Sequence, residues 1–90
     1  MVKGTTASGF KFEVDPEIVK DYEYLELASA TSENGAFFPK LINMTLGVEQ
    51  VKALKEHLRK IKGRVYTEDM SSEYTEIIEA LKNADSDVKK

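Results

Sequence analysis

His57 is the side chain best suited to proton transfer near neutral pH, and it is the single histidine among 90 residues. No second histidine stands four residues away in a His-Glu-x-x-His pattern. Cysteine is absent, which excludes thiolate zinc sites, iron–sulfur clusters and disulfides. His57 therefore reads as a packed or solvated helix residue. Gly4-Thr5-Thr6-Ala7-Ser8-Gly9 is bounded by glycines as a phosphate cradle would be, yet no Gly-Lys-Ser/Thr follows it. It reads as a hairpin turn. Asp85-Ser86-Asp87 opens like a calcium loop but carries Lys90 where the loop needs glycine. Carboxylates are abundant, and none is placed for the raised pKa of a general acid. The expectation is a protein that is not an enzyme, with no catalytic residue, cofactor-binding residue, cofactor or metal ligand.

Lys52, Lys55, Arg59 and Lys62 fall in one narrow sector of a helix, where a nucleic-acid reader would keep phosphate contacts. The surrounding charge argues otherwise. Residues 1–38 hold three lysines against seven acids, net −4. Residues 39–66 hold seven cations against Glu49 and Glu56, net +5, and residues 67–90 return to net −4. An acidic–basic–acidic chain of overall charge −3 is expected to pair its middle with its flanks, leaving no nucleic-acid partner.

The elements that position these residues follow from periodicity. Phe10, Phe12 and Val14 alternate with Lys11 and Glu13, so Val2 to Val14 reads as a β-hairpin turning at Ala7-Ser8-Gly9. Asp15-Pro16-Glu17 predicts a helix start, and Ile18, Tyr22 and Leu25 a core stripe running towards Ala30. Thr31 to Gly35 is a polar loop. Pro39 opens and Gly47 closes a short helix that is apolar on nearly every side. Val51, Leu54, Leu58 and Ile61 stripe the next helix, Val48 to Lys62, which Gly63 caps and a Glu56–Lys60 pair supports. After a connector, Ser71 or Ser72 caps a last helix with Tyr74, Ile77, Ile78 and Leu81 on one face and Met70 packed back on it. The predicted fold is α+β: an N-terminal β-hairpin packed on a small bundle of about four α-helices. Residues 1–82 form one domain and residues 83–90 a polar, disordered tail.

Missing cysteine staples point to a reducing compartment. No apolar run approaches the ~20 residues of a membrane span, and Met1 to Ser8 has no signal pattern. A cytoplasmic location without a membrane partner is expected. Tyr24 and Leu27 lie opposite the predicted stripe of the first helix, and with Phe37 and Phe38 they exceed what a thin core needs. These four are the expected partner-binding residues.

Three motif groups follow one another along the chain. Gly4-Thr5-Thr6-x-Ser8-Gly9-Phe10-x-Phe12-Glu13-Val14-Asp15 opens the chain. Leu46-Gly47-x-Glu49-Gln50 and Leu54-Lys55-Glu56-His57-Leu58-Arg59 follow, then Gly63-Arg64-Val65, Met70-Ser71 and Glu76-Ile77. Over residues 2–81 the chain resembles the small tail assembly chaperones of long-tailed phages and prophages of Gram-positive bacteria, encoded just upstream of the tape-measure gene. It departs from them at Tyr66-Thr67 and in its longer tail. The resemblance implies a non-enzymatic viral protein in the bacterial host cytoplasm. Such a protein binds the tape-measure protein and keeps it soluble while tail tube protein assembles around it. Apart from the resemblance, the apolar surface of Tyr24, Leu27, Phe37 and Phe38 admits a second copy of the chain as its occupant. The alternatives are a structural phage tail or connector protein, and a small nucleic-acid-binding regulator using the basic helix.

Overall fold

Alternation and a glycine turn produce the first two elements of the computed structural model. It describes the backbone of residues 1–89 and the side chains of residues 1–83. Strands β1 (Val2–Thr5) and β2 (Lys11–Val14) pair antiparallel, with Val2 opposite Val14 and Thr5 opposite Lys11. The turn is a three-residue loop ending at Gly9, whose φ of 96° suits the left-handed position of such a turn. Gly4 faces Phe12 across the ladder, and a β-carbon there would sit 2.7 Å from the ring tip. The missing side chain lets the Phe12 ring lie over β1.

The predicted first helix is broken in two. Asp15 caps only a 3₁₀ turn, Pro16–Lys20. Asp21 then goes extended and caps α1 (Tyr22–Glu33), its carboxylate accepting from the Glu23 and Tyr24 amides. The break rotates the helix from its expected setting. Tyr22 and Leu25, expected in the core, are 70% and 59% exposed, while Tyr24 and Leu27 turn inward. Ile18 still packs against the core. The expected polar loop is largely helical, because α1 runs to Glu33 and a 3₁₀ turn, Gly35–Phe37, leads into α2 (Phe38–Leu46).

Helix α3 (Val48–Lys62) has the predicted limits, and Gly63 ends it at a φ of 78°. Val51, Leu54 and Leu58 are buried, whereas Ile61 is exposed because it lies on the last turn. Helix α4 (Thr67–Lys89) starts four residues before the expected serine cap, with Glu68 and Asp69 in its first turn. Its inner face buries Met70, Ile77 and Leu81, with Tyr74 and Ile78 half-buried. The tail expected over 83–90 lies, beyond its first residue, outside the described side chains.

The molecule is thus an α+β globule, a two-strand hairpin plus four helices. One core joins Phe10, Phe12 and Val14 of the hairpin to Ile42, Leu46, Leu54, Ile77 and Leu81. Among the described residues, no helix is long and apolar enough to cross a membrane.

Candidate functional site

Two polar clusters and two apolar depressions stand out. The first cluster surrounds the hairpin turn. Thr6 Oγ1 donates to the buried Glu73 carboxylate at 2.6 Å, and accepts from the Phe10 amide at 3.2 Å. Ser8 Oγ lies 3.1 Å from Thr6 Oγ1 and 3.2 Å from His57 Nε2. A serine beside a histidine, with a buried glutamate two bonds away, invites comparison with a hydrolytic relay. The hydrogens point elsewhere. His57 Nε2 is 3.0 Å from the Ser8 carbonyl, which can only accept, so this nitrogen carries its hydrogen and has no lone pair facing Ser8. The Ser8 hydroxyl then donates to Thr6, and the row runs His57 to Ser8 to Thr6 to Glu73. It is wired to hold the turn against α3 and α4, and Glu76 adds a bond from the Ala7 amide at 2.8 Å.

On the opposite strand edge, Gln50 of α3 accepts from the Glu13 amide at 2.8 Å and donates to its carbonyl at 2.6 Å. One side-chain amide there does the work of a neighbouring strand at a single residue.

The second cluster seats α1. Tyr24 and Tyr74 hydroxyls are 3.1 Å apart, and Tyr74 is 3.1 Å from Thr45 Oγ1, which donates to the Leu41 carbonyl at 2.8 Å. Burial pushes the Tyr74 phenol well above its ordinary value. Phe38 meets the Tyr74 ring edge-on at 5.5 Å.

The four expected binding residues are therefore dispersed. Tyr24 is half-buried and committed to Tyr74. Leu27 and Phe37 come together, lining a shallow depression between α1 and α2 with Met44 and the acids Glu23 and Glu26. Phe38 lies on the other side of α2, in a groove of about 430 Å³ between α2, α3 and the start of α4. Ile42, Val51 and Met70 form the groove's floor, Phe38, Pro39 and Val65 its walls, and Lys55 reaches its edge. No family model, no curated protein and no solved structure matches the chain.

Sequence reasoning missed the groove because four segments build it. The available signal was a helix α2 apolar all round, with more apolar faces than one core uses. The expected internal pairing of the basic stripe is also corrected. Lys62 bonds Asp69 at 3.0 Å, but Lys52, Lys55 and Arg59 have no ion pair among the described residues. The Glu56–Lys60 pair is not formed either. These side chains point outward from α3, where solvation competes well with a pair.

Proposed function

We propose that this chain is a phage tail assembly chaperone. It binds helical segments of the tape-measure protein in the bacterial host cytoplasm and keeps them soluble until tail tube protein assembles around them. The observation that carries this reading is the open apolar groove between α2 and α3, walled by Phe38, Pro39 and Val65. An amphipathic helix needs such a trough for its apolar face. The motif order from Gly4 to Ile77 supports the same reading.

Co-expression with a tape-measure protein tests it. Ala36→Asp with Pro39→Asp places two charges on the groove wall, both at exposed positions. The expected result is loss of tape-measure protein from the soluble fraction, with thermal unfolding of the variant little changed. Undiminished rescue by a folded variant removes the groove as the binding surface. A structural tail or connector protein would instead remain in purified particles.

A second reading draws on the unpaired cations of α3, which could contact phosphates. Gel-shift titration at physiological salt distinguishes it. No shift is expected, and micromolar binding that weakens steeply with salt would favour a regulator.

A further inference from the structure

The groove has an electrostatic sidedness that its apolar lining does not explain. Taking ~100° per residue along α3, Val51 sits at the groove and Lys62, Lys55, Arg59 and Lys52 follow in order within about 100° on one side of it. All four are exposed. Glu49 and Glu56 lie farther round still, beyond the cations rather than among them. Lys62 is occupied by Asp69, so Lys55, Arg59 and Lys52 form a rail without carboxylate partners among the described residues.

The facing wall is uncharged and sets nothing against the rail. Phe38 and Pro39 belong to the first turn of α2, whose N-terminus has no side-chain cap and no acid in its first turn. The 3₁₀ turn Gly35–Phe37, capped by Asn34, runs into this end and takes up the Phe38 amide, and the Lys40 ammonium leans away from the groove, 6.0 Å from the Phe37 ring. The start of α4 contributes little, because Glu68 and Asp69 offset its dipole. The depression between α1 and α2 has the opposite character, with Glu23 and Glu26 at its margin.

We infer that the α2–α3 groove selects an amphipathic helix of a partner protein that carries acidic residues along one flank of its apolar stripe. The inference rests on the chaperone reading of this groove and specifies the chemistry of what fits. The apolar stripe enters the trough, and the acidic flank lies against Lys55, Arg59 and Lys52. A helix with its acids on the wrong flank would turn them away from the rail, so the groove also sets the direction in which the partner runs.

Fluorescence anisotropy with designed peptides of about five helical turns tests this on the full chain. The peptides share one apolar stripe and differ in a flank of glutamates, a flank of lysines, or a scrambled stripe that keeps the glutamates. The acidic-flank peptide should bind at least about tenfold tighter than the lysine-flank peptide, the advantage shrinking at high salt. Lys55→Glu with Arg59→Glu should reverse the preference, and both positions are exposed, so the fold should survive. Equal binding of the two stripe-bearing peptides overturns the inference while leaving the groove reading intact. Binding of no peptide defeats both. Equal binding of the scrambled peptide shows charge attraction without a groove, and displacement by duplex DNA at physiological salt assigns the rail to phosphates. Either result overturns the inference.

Discussion

Helices α1 and α3 have similar lengths and are held in opposite ways. Helix α3 buries Val51, Leu54 and Leu58 on one narrow stripe and turns its charges to solvent. Helix α1 buries no residue fully; it is seated by half-buried Tyr24 and Leu27 and by one tyrosine–tyrosine hydrogen bond. Tyr22 and Leu25 remain on its outer surface. The difference teaches that a helix with two apolar stripes has no unique setting until a directional contact chooses one. Here the chooser is the hydroxyl row from Tyr24 through Tyr74 to Thr45.

Substitutions can break or sharpen this contrast. Leu58→Ala should cost about 2–5 kcal/mol in chemical denaturation, as a large-to-small change in a closed core. A loss well under ~1 kcal/mol would mean that α3 is not the centre of the core. Tyr24→Ser with Leu27→Ser should cost about 2–3 kcal/mol, because both side chains are half removed from water. An unchanged midpoint would place the inner face of α1 in solvent after all.

Tyr74→Phe should cost about 0.5–1.5 kcal/mol by cutting the hydroxyl row. It also carries a pH signature. The folded state raises the Tyr74 pKa, so unfolded chains release that proton first as pH climbs. The stability it contributes is full below about pH 10, the ordinary tyrosine value, and declines above it. Tyr74→Phe should flatten part of that alkaline decline in a denaturation series, and an identical slope would detach Tyr74 from it. Smallest of all, Tyr22→Ser with Leu25→Ser should alter stability by about 0.5 kcal/mol or less. A larger loss would show that the outer face of α1 is covered in solution.

The same contrast explains what could be read in advance. Helix α3 was legible because one stripe lies between two glycines, Gly47 and Gly63, each at positive φ. The hairpin was legible because Phe10, Phe12 and Val14 alternate and all three are buried. Helix α1 was misread because Tyr22 and Leu25 weigh as much as Tyr24 and Leu27, and the deciding hydroxyl lies fifty residues away on α4. The start of α4 was misplaced because Ser71 is a strong capping type, while the chain already turns at Tyr66, whose carbonyl accepts from the Met70 amide. Of the four residues expected to bind a partner, only Leu27 and Phe37 meet. The groove itself needed the distances between α2, α3 and α4, which no single segment encodes.

The hairpin turn has a consequence for the order of folding. Thr6 finds its carboxylate 67 residues later, at Glu73, and Ser8 finds His57 49 residues later. Two short strands are marginal in water by themselves. During synthesis they leave the ribosome before the helices that fasten them, and the residues they bond are among the later ones to arrive. The hairpin must therefore stay provisional while α1, α2 and α3 form, and becomes permanent only when α4 docks and closes the longest loops of the chain. Its contacts belong late on the folding path, so weakening them should speed unfolding far more than it slows folding.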